Sequence, residues 1–275
     1  MRASSPTVNT YHGLSDCREA PLFAVRETLD PVHSDAVPVP AVEDFPPSAR
    51  SPSRVIGGEL LALAASSLLY PFGLGASRKR TARRAQQRTV VFVHGYLGNR
   101  SSFYPLAAYL KMLGSGPLLS FSYSAAQGIE RAAIELRDAL RRRVRGGRID
   151  LVCHSLGGLI ARTWLQLLGG ARRVDRCILL GTPDRGTYNA YWLLSRVGRE
   201  LRPDSALIRR LDATRAAASS VRFSSIVAGS DNMVIPRVFS AAEPDVVHVR
   251  DVGHLGLLFS PAVFRAVHER LADEE

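Results

Sequence analysis

From residue 88 onward, short apolar runs alternate with longer stretches in which apolar residues recur every three or four positions. The runs 89–93, 118–123, 149–153, 175–180, 222–228 and 245–249 have the length and aliphatic content of buried strands. Between and after them the spacing predicts helices over about 102–113, 129–145, 159–168, 188–201, 204–215 and 261–271. Strands that alternate with helices across short connections imply an α/β domain, with a mostly parallel sheet and helices on both faces. The longest excursion, about 186–220, places Tyr191, Trp192, Leu194, Val197 and Leu201 on one helical stripe. Exposed aromatics of this size seek burial, so the sequence predicts a helical cap whose apolar face lines a pocket.

Upstream of residue 88 the pattern changes twice. Residues 1–53 are rich in proline and show no sustained apolar period, which predicts an irregular tail. Residues 54–87 are a unit of another kind. Val55–Leu74 is almost wholly apolar, with a single charge at Glu59, and the basic run Arg78-Lys-Arg-Thr-Ala-Arg-Arg84 follows. Two readings stand: a helix packed on the α/β domain, or a membrane contact through residues 55–84 with the basic run against anionic headgroups. The α/β domain itself is expected at 88–275.

Composition narrows this picture only a little. A chain of 275 residues suits one sizeable α/β domain or two small ones. The formal net charge of +11 raises nucleic-acid binding as a reading, but no recognised binding motif or aromatic-rich basic face accompanies it, and no nucleic-acid partner is expected. Cys17, Cys153 and Cys177 form no disulfide framework and no metal pattern. The N-terminus lacks a charged start followed by an apolar core, so no cleavable signal is expected. The location predicted is cytoplasmic, with membrane association as the alternative.

Candidate chemistry centres on Ile149-Asp-Leu-Val-Cys-His-Ser-Leu-Gly-Gly-Leu-Ile-Ala-Arg162, where a strand turns into a helix through Ser155. A turn this tight lifts the serine hydroxyl clear of the sheet and sets it at a helix N-terminus. A serine needs a base within hydrogen-bond reach. Of seven histidines, His12 and His33 lie in the tail, His248 in a strand and His268 in a helix, while the side chain of His154 should point away from Ser155. His94 and His254 remain, and His254 sits in a glycine-flanked loop able to swing over the nucleophile. The carboxylate that orients such a base is assigned first to Asp231, second to Asp251 and third to Asp184. Oxyanion donors are expected from the backbone N–H groups of Tyr96 and Leu156. His94 either bonds its loop in place or touches substrate. His94, Leu97, Thr182, Trp192 and Leu194 are the candidate substrate-pocket residues.

Five blocks carry a resemblance: Val-Phe-Val-His-Gly-Tyr-Leu-Gly98, Leu-Val-Cys-His-Ser-Leu-Gly-Gly158, Gly-Thr-Pro-Asp-Arg-Gly-Thr187, Gly-Ser-Asp-Asn-Met-Val-Ile-Pro236 and Val-Gly-His-Leu-Gly256. In this order they resemble the α/β-hydrolase superfamily over about residues 88–272, and most of all its lipase and esterase branch, which includes bacterial triacylglycerol lipases and GPI inositol deacylases. The resemblance implies Ser155 as nucleophile, Asp231 as acid, His254 as base, and Tyr96 and Leu156 as oxyanion donors. Cys153 departs from it, standing where the usual turn has glycine. The implied activity is hydrolysis of carboxylic esters of lipid or another apolar acyl group through an acyl-enzyme. That chemistry requires no metal or organic cofactor. An acyltransferase, thioesterase or amidase would use the same residues, and a non-catalytic binding protein on the same fold is a further reading.

Overall fold

The computed structural model describes residues 52–75, 88–144, 146–235 and 245–273. The expected tail up to residue 51 and the basic run 78–84 lie outside the described residues. Six strands form the sheet: β1 (Thr89–Val93), β2 (Leu118–Phe121), β3 (Ile149–His154), β4 (Val174–Leu180), β5 (Arg222–Ala228) and β6 (Val246–Val249). All neighbours pair in parallel, in the order β2-β1-β3-β4-β5-β6.

The apolar runs translate directly into two cores. Successive strand side chains point to opposite faces. Val91 and Val93, Leu151 and Cys153, and Cys177 and Leu179 therefore enter one core, while Val90, Phe92, Val152, Ile178 and Leu180 enter the other. On the first face lie α3 (Ile129–Arg143) and α4 (Leu156–Leu167), and on the second α2 (Tyr104–Met112) and α7 (Pro261–Ala272). Cys153 is fully buried, which is what a small, soft side chain at that position allows.

The excursion between β4 and β5 differs from expectation. In place of one helix over 188–201, a 3-10 turn at Tyr188–Trp192 is followed by an extended Leu193 and then by the short α5 (Arg196–Glu200). The break has local causes: the Thr187 side chain caps the first turn, and Ser195 accepts from the Gly198 N–H at 3.1 Å to start the second. Together with α6 (Ala206–Ala213), this segment buries Ala190, Val197, Leu201, Leu207, Ile208 and Leu211 in the core shared with α3 and α4. It packs on the flank of the domain.

The apolar run upstream forms α1 (Pro52–Leu69) and a 3-10 turn at Tyr70–Gly73. It touches the α/β domain at the turn Arg100–Phe103 and at the turn Gly256–Leu258. Of its side chains only Ala62 is buried, while Ile56, Leu60, Leu61, Leu63, Leu68 and Phe72 are exposed. Each large aliphatic side chain left in water forgoes roughly 1.5–3 kcal/mol that full burial would supply.

Candidate active site

In an open parallel sheet, ligands sit beyond the carboxyl ends of the strands, above all where the strand order reverses. Here the chain runs from β1 outward to β2 and then returns to β3 on the other side of β1, so the reversal lies between β1 and β3. Ser155 stands at this point, directly after β3, and caps α4 with φ 52° and ψ −123°. A serine in this left-handed region is strained, at a cost of order 1–3 kcal/mol. Three described non-glycine residues have positive φ: Leu97, Ser155 and Asp251. All three lie in loops at this edge.

The strained turn is held by its neighbours. The Ser155 N–H donates to the Leu180 carbonyl at 2.9 Å, continuing the β3–β4 ladder. A Cβ on Gly157 would overlap the carbonyl oxygens of Val93 and His94, so only glycine lets α4 approach the end of β1 this closely. Thr182, at the end of β4, is buried against Gly158.

Beyond β5, Asp231 is buried and fully engaged. Its Oδ1 accepts from the N–H groups of Met233 (2.8 Å) and Val234 (3.0 Å), and its Oδ2 lies 2.8 Å from Nδ1 of His254. Burial pushes the Asp231 pKa up, but the hydrogen bond and charge of His254 and the two backbone donors outweigh it, leaving the carboxyl below its ordinary value. An ionised carboxylate only accepts, so Nδ1 of His254 donates to it and Nε2 is left to face the cavity.

His254 is gripped from two more directions. The His154 ring lies 4.8 Å from its own, and His154 Nε2 donates to the His254 carbonyl at 3.1 Å. Burial first, and then the neighbouring His254, lower the His154 pKa to about 3, so this second ring stays neutral. On the other side, the Glu59 carboxylate of α1 accepts from the N–H groups of Leu255 (3.0 Å) and Gly256 (2.7 Å). A Cβ on Gly253 would collide with that carboxylate.

A cavity of about 1030 Å³ opens over these groups. Tyr96, Leu97, His154, Ser155, Met233 and His254 line its floor, while Val55, Ile56, Leu60, Leu63 and Tyr70 form its other wall. Among the described backbone bonds outside regular elements, the N–H groups of Tyr96 and Leu156 donate to no carbonyl. A separate cavity of about 700 Å³ lies among Arg176, Arg222 and Arg270, at the starts of β4 and β5, and none of these groups reaches it.

The Alpha/beta hydrolase family model matches residues 90–225. Among solved structures, the mature lipase BlEst2 of Bacillus licheniformis aligns with a TM-score of 0.53 and 16% identity, over 72% of this chain and 96% of that one. The product of the lin2722 gene of Listeria innocua aligns with a TM-score of 0.51 and 14% identity, over 69% and 96%. The chain has the α/β-hydrolase fold. Phospholipase PlaB from Legionella pneumophila is 19% identical with a TM-score of 0.47, and this chain spans only 39% of its length. No curated protein matches the sequence significantly.

On this hydrolase fold Ser155, Asp231, His254, Tyr96 and Leu156 gather at one edge; Ser155, His254, Tyr96 and Leu97 line the cavity, while the side chains of Asp231 and Leu156 are buried. Other sequence-predicted pocket residues fall elsewhere. Trp192 and Leu194 are each 86% exposed and do not line the cavity, because the excursion that carries them packs on the flank. Thr182 is taken up by packing against Gly158. His94 is buried beneath its loop, donating from Nδ1 to the Gly95 carbonyl (2.9 Å) and stacked 4.3 Å from Tyr123, with burial lowering its pKa to about 4. Of the alternative acids, Asp184 is buried in an ion pair with Arg162 and accepts from Arg215 at 2.9 Å. Asp251 lies in the turn before His254 with φ 57°. Two further residues at the site are Glu59, whose signal in the sequence is its isolation in an apolar helix, and His154, which lines the cavity floor beside Ser155 and holds the His254 loop through its carbonyl.

Proposed function

We propose that this protein is a serine hydrolase that cleaves carboxylic esters of lipid or other apolar acyl groups. The observation that carries the reading is the 2.8 Å Asp231–His254 hydrogen bond, with His254 and a strained Ser155 lining one apolar cavity. In this reading His254 Nε2 takes the Ser155 hydroxyl proton as Oγ attacks the ester carbonyl. The tetrahedral oxyanion is met by the N–H groups of Tyr96 and Leu156, each worth about 3–4 kcal/mol in such a role. Collapse expels the alcohol, which leaves with the proton from His254, and the acyl group stays on Ser155. Water then attacks the acyl-enzyme, with His254 again as base, releasing the acid and restoring the serine. Asp231 keeps the imidazole in the required tautomer and stabilises the imidazolium formed at each step. Neutral His154 keeps a second positive charge away from that imidazolium.

The cavity supports an apolar acyl group, since leucine, isoleucine and valine side chains of α1 form much of its wall. A panel of p-nitrophenyl esters of rising chain length, assayed with and without detergent, tests the proposal. Wild type should turn over medium or long chains best, and Ser155→Ala should abolish the activity. Asp231→Asn should cost on the order of 10⁴-fold in kcat, as loss of the orienting carboxylate does in such triads. Asp251→Asn should stay near wild type; the reverse order would move the acid to Asp251.

A further inference from the structure

Helix α1 has two unlike faces. At helical spacing, Val55, Ile56, Glu59, Leu60, Leu63, Ser66, Ser67 and Tyr70 turn toward the cavity. Opposite them, Leu61 and Leu68, one heptad apart, are 73% and 74% exposed, and Phe72 extends the same apolar surface. The one charged side chain between Arg54 and the end of the helix is Glu59, and it is turned inward onto the Leu255 and Gly256 N–H groups. The outer face therefore presents no charge beyond Arg54 at its start.

By length and composition, Pro52–Gly73 is apolar enough to cross a membrane. Its attachments argue for another orientation. Glu59 ties its middle to the His254 loop, the Tyr70 carbonyl accepts from Asn99 Nδ2 at 2.9 Å, and the Phe72 carbonyl accepts from the Tyr104 hydroxyl at 3.0 Å. A helix pinned to the catalytic domain along its length cannot also run through a bilayer. It can lie in the plane of the lipid surface with its outer face in the acyl region. The sequence then supplies five basic residues between 78 and 84, a charge that suits anionic headgroups.

We infer that α1 docks the protein in-plane on an anionic lipid surface, through the face that carries Leu61, Leu68 and Phe72, and so holds the mouth of the Ser155 cavity against the membrane. This docking does not depend on the hydrolytic reading, and binding is measured without it.

The test is flotation of the full chain with vesicles of equal parts phosphatidylglycerol and phosphatidylcholine, and with vesicles of phosphatidylcholine alone. Wild type should float with the mixed vesicles, less with the neutral ones, and should be released by alkaline carbonate. Leu61→Glu/Leu68→Glu should reduce partition about tenfold or more, and the milder Leu61→Ser/Leu68→Ser should reduce it in the same direction. Both variants should keep the wild-type circular dichroism melt, and any turnover of a short soluble ester should stay unchanged. Equal flotation of wild type and both variants overturns the inference. Resistance to carbonate overturns it in favour of a spanning helix. Failure of wild type to float also overturns it: a dimer split by the substitutions would assign the face to a second copy, and a lowered melt to another part of this chain.

Discussion

Two segments of this chain carry apolar stripes long enough to cover a catalytic edge, and they end in opposite places. The excursion 188–213 turns its aliphatic residues into the α3–α4 core and leaves Trp192 and Leu194 in solvent, away from the cavity. Helix α1 turns one face to the cavity and leaves its other face bare. What separates them is the polar anchor each one carries. The excursion is tied to the flank by the buried Asp184 with Arg162 and Arg215, and closed on itself by the Thr187 N–H donating to the Leu201 carbonyl. Helix α1 is tied to the His254 loop by Glu59. Apolar stripes state that a segment must be covered; its buried polar contacts decide where it goes.

Cutting each anchor tests this contrast. Asp184→Asn takes from the fully buried Arg162 its buried carboxylate, leaving only Asp212 at 3.7 Å, and should destabilise the domain by about 3–5 kcal/mol, read from denaturant unfolding. The activity per folded molecule should stay near wild type. A specific loss of kcat at unchanged stability would instead tie the excursion to catalysis.

Glu59→Ala removes the acceptor that both loop N–H groups share. A displacement of the base by even about 1 Å is worth up to 10²-fold, so kcat should fall about ten- to hundredfold with KM changed less. Glu59→Gln keeps an acceptor and should recover part of the loss. A change in melting temperature alone, with kcat intact, would reduce Glu59 to a fastening of α1.

The buried histidines beside the site and the Asp184 anchor of the excursion should also respond at different pH. Burial holds His94 near 4 and His154 near 3, against an ordinary 6.5. Below pH 6.5 the unfolded chain binds more protons than the native state, so this stability is present above 6.5 and is lost as pH falls. The loss amounts to about 1.4 kcal/mol per pH unit from each ring until its folded pKa is reached. Asp184 behaves differently. Burial raises its pKa, but Arg162 and Arg215 overcompensate and bring it below 3.8, so its contribution persists until pH falls under that value. Unfolding followed from pH 7 to 4 should therefore show a steady decline, and the decline should be shallower in His94→Asn. A flat profile would mean that the rings are not held neutral.

The smallest effects sharpen the assignment of the pocket. Leu60→Ala and Leu63→Ala should weaken turnover of long-chain esters about tenfold relative to acetate. Trp192→Ala and Leu194→Ala should change stability by no more than about 0.5 kcal/mol and leave chain-length preference unaltered. A chain-length shift in the Trp192 variant would put the excursion back over the site.

The strands were legible in the sequence because a sheet buried on both faces leaves a plain mark, as in Thr89–Val93 and Arg222–Ala228. The gathering of Ser155, Asp231 and His254 was legible for a related reason, since residues just after parallel strands must share one edge. The cover was not. Val55–Leu74 and the stripe of 188–201 have similar apolar patterns, and only long-range partners separate them: the N–H groups of Leu255 and Gly256 lie 196 and 197 residues from Glu59. Local periodicity carries no information at that range. Nor could it show that the helix over 188–201 breaks at Leu193, where the side chains of Thr187 and Ser195 compete for backbone donors.

The central claim is that Ser155 is an activated nucleophile, and a fluorophosphonate probe measures this directly. Intact-mass and peptide mapping of the full-length protein should show one adduct, on the peptide that contains Ser155, forming more slowly in His254→Ala and absent in Ser155→Ala. An unlabelled wild-type protein, or an adduct that persists in Ser155→Ala, would contradict it.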